Sequence, residues 1–116
     1  MRDFKQLSFW HRSHSLTLKL YLHTKSSFPK DEMYGLISQI RRSGSSIPTN
    51  IAEGCGRNSN PDFKRFLVMS TGSCSELEYQ LMLSKDLGYL SETVFNELIK
   101  EVVEIRKSIY SYIKTL

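Results

Sequence analysis

The sequence has no apolar run approaching the roughly 18 to 20 residues needed to cross a bilayer, and its 24% of charged residues are spread along all 116 positions. A transmembrane role is therefore not expected. There are only two cysteines, Cys55 and Cys74, and the opening Met-Arg-Asp-Phe-Lys carries no apolar segment. Neither feature suits a secreted disulfide framework, so a cytoplasmic protein with reduced thiols is the expectation. No strand-type alternation, internal repeat or low-complexity segment is present.

Chemistry-bearing patterns are equally scarce. None of the eight glutamates precedes a histidine as Glu-x-x-His, and His11, His14 and His23 all fall in the first helical segment, which argues against a bundle metal site. Gly54-Cys55-Gly56 lacks the third glycine and preceding strand of a dinucleotide loop, and neither a P-loop nor His-Glu-x-x-His occurs. The two glycines read instead as a helix end and turn. Cys55 lies near Arg57 but has no histidine close in sequence to activate it. Glu53, Arg57 and His14 make no complete catalytic set, so no enzyme, cofactor or metal is expected. Glu53 instead reads as the i,i+4 ion-pair partner of Arg57, and His14 as a core or interface histidine.

Helical signals run through the whole chain. Only three prolines occur, and Pro29 and Pro61 each read as a first helical residue followed by acids, with Asn60 as an N-cap. Gly88 reads as a helix stop and Ser91 as the next N-cap. Breaks near 26–29, 54–60 and 88–91 leave four helical segments. Met33, Ile37, Ile40, Gly44, Ile47 and Ile51 step by four and three, as do Phe63, Leu67, Ser70, Cys74, Leu77 and Leu81. Phe95, Leu98, Val102, Ile105, Ile109, Tyr112 and Leu116 form a third such seam, repeating every 3.5 residues. The first segment, with Trp10, Leu16, Leu18, Leu20, Tyr21 and Leu22, is apolar on more than one face. Short connections force neighbours antiparallel, so residues 1–116 are expected to form one all-α domain, an up-down-up-down four-helix bundle. The doubly apolar first helix points to a homo-oligomer. Tyr21, Tyr34, Tyr79 and Tyr89 suit the wet edges of a packed interface.

Two strings of small residues, Ser43–Ser46 and Ser70–Ser75 with Gly72, stand in the middle helices. Reflection of the hairpin about residue 58 brings Gly44 level with Gly72, so the two are expected to meet in one closely packed layer. The same reflection puts Arg41 and Arg42 beside Glu76 and Glu78. Pro48 would clash with the carbonyl of Gly44 in a straight helix, which predicts a kink and a hydroxyl or water on the freed carbonyl.

The stretch SIPTNIAEGCGR, Ser46 to Arg57, with Pro48, Asn50, Glu53, Gly54 and Gly56, resembles the 23S rRNA intervening-sequence proteins. Phe63, Arg65, Phe66, Leu67, Gly72, Ser73, Glu76, Leu77, Leu87, Gly88 and Tyr89 extend the likeness, and Trp10, His14, Phe28, Pro29, Tyr34, Gly35, Leu36, Gln39, Arg41 and Arg42 carry it back toward the N-terminus. The last helix diverges. The resemblance implies a four-helix bundle, a ring-like homo-oligomer with five copies, and a connection to RNA, since the same fold is used by accessory proteins of diversity-generating retroelements that partner a reverse transcriptase. It implies no established activity. Ser43 and Gly44 stand where the family has alanines, which should weaken the second helix locally.

Charge supplies the functional reading. The N-terminus, the 54–60 loop and the C-terminus are expected at one end, which then gathers Arg2, Lys5, Arg12, Arg57, Lys64, Arg65, Arg106, Lys107 and Lys114 against Asp3, Glu53 and Asp62. That is nine cations against three carboxylates, leaving seven against nine elsewhere. Such a pole suits phosphate capture by an RNA- or DNA-binding protein, with Arg57, Lys64, Arg65, Arg12 and Lys107 as candidate contacts. The alternative is a protein-interaction scaffold whose basic end serves solubility or steering.

Overall fold

The computed structural model describes residues 2–116. It is all-α, with α1 (Ser8–Ser27), α2 (Leu36–Cys55), α3 (Asn60–Asp86), α4 (Glu92–Ile113), short 3-10 turns at Phe4–Gln6 and Lys30–Glu32, and no strand among the described residues. At about 1.5 Å per residue the 27 residues of α3 reach about 40 Å, close to the 43 Å length of the molecule. Cross-helix pairs step in opposite directions along neighbours. Thr17 meets Gly44 while Thr24 meets Arg41, and Ser43 meets Gln80 while Ser46 meets Ser73. The backbones of α1 and α3 never approach within 8 Å, nor do those of α2 and α4, so these pairs occupy opposite corners.

The periodic seams form the core. Ile37, Ile40, Ile47 and Ile51 pack with Phe63, Leu67, Leu77 and Leu81 and with Leu98, Val102, Ile105 and Ile109, closed on the fourth side by Leu16 and Leu20. Each such side chain, fully removed from water, contributes about 1.5 to 3 kcal/mol. Met33 departs from its expected place on the α2 seam. It is exposed because α2 does not begin at Pro29 but at Leu36, seven residues later. Pro29 opens the second 3-10 turn instead, and Glu32 closes this connection: one carboxylate oxygen accepts the Leu36 N–H at 3.1 Å and the other accepts the Tyr89 phenol at 3.0 Å.

The other ends follow local chemistry more closely. The N-cap of α3 is Ser59, which accepts the Asp62 N–H at 3.2 Å, one residue before the expected Asn60. Asn60 is drawn off by Arg2, whose guanidinium donates to Asn60 Oδ1 at 2.6 Å. At the far end Gly88 adopts φ +82°, a left-handed conformation open to glycine, and the Tyr89 N–H reaches back to Ser84 O at 2.9 Å. Ser91 then caps α4 through the Val94 N–H, as its sequence position indicates.

The small-residue strings do not form the expected layer. Gly72 faces outward, with nothing within 4 Å of where a Cβ would stand, so it does not meet Gly44. Gly44 lies against α1, where a methyl would run into Leu20. The serines instead make a ladder of hydroxyls between α2 and α3. Ser43 donates to Gln80 Oε1 at 2.6 Å, Ser46 and Ser73 share a bond at 2.8 Å, and Ser70 donates to Ile47 O at 2.9 Å. Asn50 reinforces the ladder by donating to the carbonyl and hydroxyl of Ser46, both at 2.9 Å. Helix α2 continues through Pro48, and the carbonyl that Pro48 cannot serve, that of Gly44, faces the Thr17 hydroxyl at 3.2 Å. A hydroxyl is there, but it comes from α1 and is shared with Ser13 O at 2.8 Å.

Candidate nucleic-acid interface

One end of the molecule collects the start of α1, the α2–α3 connection and the end of α4. The Arg2 N–H donates to Cys55 O at 2.9 Å, and its guanidinium lies 4.3 Å from the Phe63 ring centroid. Tyr112 packs on both Phe9 and Phe63, with centroids 5.4 and 6.0 Å apart, which ties α1, α3 and α4 together at that end. The close turn depends on Gly54, whose Cβ would fall 2.8 Å from Phe66 Cβ and 3.3 Å from Phe63 O. Gly56 has an ordinary helical φ of −81° and ends α2 without needing glycine's freedom.

Of the candidate contacts, Arg57 and Arg65 stand together. Their guanidiniums lie 4.6 and 4.5 Å from the Phe66 centroid, and both reach Asp62, at 3.7 and 3.0 Å. The expected Glu53–Arg57 pair forms at 3.4 Å. This group of two cations and two carboxylates is balanced within itself, so the excess charge of this end comes from elsewhere. Lys64, Lys107 and Lys114 are exposed and make no ion pair among the described residues. Lys64 borders a shallow cleft with Asn60, Pro61 and Leu116, and Lys107 lies six residues before the end of α4, about 9 Å along the axis.

Arg12 and Arg106 leave the pole. Arg12 is held by Glu101 at 3.2 Å and Glu104 at 2.5 Å on α4, and hydrogen bonding to these two carboxylates raises its pKa above the ordinary guanidinium value. Arg106 bonds Glu78 at 2.8 Å and Ser75 at 3.2 Å on α3. Without them the pole holds Arg2, Lys5, Arg57, Lys64, Arg65, Lys107 and Lys114 against Asp3, Glu53 and Asp62, seven against three. Arg42 does pair with Glu76, at 3.9 Å, but Arg41 turns the other way, onto the Tyr21 ring and Thr24.

The remaining candidates have no reactive setting. Cys55 is buried and its thiol pKa is pushed up, chiefly by burial, only partly offset by Arg2. Burial drives Cys74 up to about 12. His14 is exposed rather than in the core and lies parallel to Trp10, with ring centroids 5.3 Å apart. No group of three or more His, Cys, Asp or Glu side chains that could hold a metal occurs among the described residues, and no described helix is long and apolar enough to cross a membrane. The role of Arg2 escaped the sequence reading beyond its charge. Its only signal was Phe63 and Asn60 at the start of α3, which proximity in the chain could not connect to it.

Comparison with known proteins bears on both fold and family. The profile described as 23S rRNA-intervening sequence protein matches residues 5–111. The crystal structure of a protein with unknown function from the S23 ribosomal protein family of Bacteroides thetaiotaomicron VPI-5482 superimposes with a TM-score of 0.82 at 26% identity, covering 91% of this chain and 98% of that one. No curated protein is significantly similar to the chain.

Proposed function

This chain belongs to the 23S rRNA-intervening sequence protein family, and from that premise we propose that it is a non-enzymatic, cytoplasmic, RNA- or DNA-binding protein that holds nucleic acid by its phosphates at the basic pole. We further propose an up-down-up-down bundle assembled as a ring-like homo-oligomer of five copies. The observation that carries the binding reading is the surplus of exposed, unpaired lysines at one end, Lys64, Lys107 and Lys114, beside the Arg57–Arg65 pair on Phe66. Clustered cations displace condensed counterions from a phosphate backbone, which gives affinity without base specificity. Assembly into a ring would multiply that field.

A salt series with a single-stranded RNA and a DNA duplex tests this. Replacing Lys64, Lys107 and Lys114 by glutamate removes cations that hold no carboxylate, so the fold should survive. Binding should weaken similarly for every sequence, and the slope of log affinity against log salt should flatten by about 0.7 to 0.9 per lost phosphate contact. The same change at Lys19, Lys25 and Lys30 should matter less. Absence of binding by the wild type at low salt removes the nucleic-acid reading. The second reading, a scaffold for a protein such as a reverse transcriptase, would then stand, supported by the self-balanced Glu53–Arg57–Asp62–Arg65 group.

A further inference from the structure

The protomer leaves two apolar faces largely in solvent, touched from within only where Arg41 lies on Tyr21 and Arg106 donates to Ser75. On α1, Leu18, Tyr21 and Leu22, and on α3, Val68, Tyr79 and Met82, are each 46% to 63% exposed, whereas α2 has no large exposed apolar residue. The α3 face is a second seam. Val68, Gly72, Ser75, Tyr79 and Met82 step by four, three, four and three, the spacing of the buried seam displaced to the opposite side of the helix. Gly72 sits in its middle, and nothing inside the protomer needs a glycine there. Since α1 and α3 occupy opposite corners, the two faces look away from one another and cannot cover each other within one chain.

We propose that the outer face of α1 in one copy docks on the outer face of α3 in the next, side by side and in the same direction, so that every contact in the assembly is of this one head-to-tail kind. The inference rests on the homo-oligomer reading and adds which surfaces meet and how. Charge is complementary across them. Lys19 and Lys25 of α1 hold no carboxylate among the described residues, and α3 beyond Gly72 offers Asp86, which holds no cation there, and Glu76, held only at 3.9 Å by Arg42; Arg12 and Glu78 are already paired within the protomer and take no part. Height agrees as well. Thr17 is level with Gly44, and the flanking Ser43 and Ser46 are level with Gln80 and Ser73, so Leu18 lies at the height of the 73–80 stretch of α3. Both helices start at the basic pole, where Phe9 and Phe63 share Tyr112. A parallel, unshifted contact repeated by rotation closes into a ring rather than climbing into a filament, and it aligns all the basic poles on one side.

Mixing two face-defective variants tests this directly. Leu18→Glu with Leu22→Glu spoils only the α1 face, and Val68→Glu with Met82→Glu only the α3 face. All four positions are exposed, so far-UV circular dichroism should match the wild type. By light scattering each variant alone should be a 13.5 kDa monomer, and their equimolar mixture should form a two-chain complex and nothing larger, because one intact α1 face and one intact α3 face remain. A variant that stays dimeric by itself would mean like faces pair, which overturns the head-to-tail contact. Wild-type mass in both variants would overturn the choice of faces. A monomeric wild type would instead overturn the oligomer reading beneath it. Gly72→Leu gives an independent check: the assembled mass should fall with helicity unchanged, and an unchanged mass removes Gly72 from the contact.

Discussion

Helices α2 and α4 give one face to the core and the other to polar and charged side chains, with Tyr110 their only large apolar residue more than a third exposed. Helices α1 and α3 bury one apolar seam and leave a second apolar face in solvent. The two classes alternate around the bundle, so each doubly apolar helix stands between two one-sided ones. Folding of the protomer consumes one seam per helix, and any second seam must answer to something outside it. That is why the amphipathic pattern is sharp on α2 and α4 and blurred on α1 and α3.

The contrast between the two seams of α3 can be broken most forcefully at its inner one. Phe63→Ala should cost about 3 to 5 kcal/mol in chemical denaturation, and Leu77→Ala about 2 to 5. Val68→Ala and Met82→Ala, one face away on the same helix, should change the stability of the dilute protein by about 0.5 kcal/mol or less. Equal losses at inner and outer positions would erase the distinction.

Glycines sharpen it with opposite signs. Gly54→Ala forces a methyl against Phe66 and Phe63 and should cost about 1 to 3 kcal/mol. Gly72→Ala meets open space within the protomer and should stabilise the dilute protein by about 0.5 to 1 kcal/mol, since mid-helix glycine is entropically costly. Melting curves of the two variants should therefore move apart.

Cys74, on the inner seam, supplies a pH test. Its thiol titrates at about 12 in the folded chain against 9.0 in the unfolded one. Below pH 9 it is protonated in both states. Above pH 9 the unfolded chain ionises first, so stability falls as pH rises toward 12, by up to about 1.4 kcal/mol per pH unit. Cys74→Ala should flatten that part of the alkaline profile. A modest effect is expected where α1 meets the one-sided α4: Arg12→Met, removing a partly exposed pair with Glu101 and Glu104, should cost only about 0.5 to 1 kcal/mol.

Much of the fold was legible in the chain. The breaks, the three seams, the Gly88 stop with its Ser91 cap and the Glu53–Arg57 pair are local, decided by residues within a turn or two of each other. The meeting of Gly44 with Gly72 failed because reflecting a hairpin fixes height and leaves azimuth open. The seam of α3 steps from Ser70 to Cys74 and passes over Gly72, which was signal enough to put that residue outside. The start of α2 was misplaced because Glu32 is held by Tyr89, fifty-seven residues away, a partner that no local capping rule supplies. The basic pole was legible as a tally of charge, but Arg12 and Arg106 left it once carboxylates on neighbouring helices came within reach.

Sequence by itself determined that four helices form, where each stops and which stripe of each is apolar, because hydrogen-bonded turns and their caps depend on neighbours in the chain. Tertiary structure alone decided which apolar stripe of α1 is buried, which arginines are neutralised and which lysines stay bare. Those outcomes depend on helix rotation and on partners tens of residues distant, and the protomer core has room for only one seam from each helix.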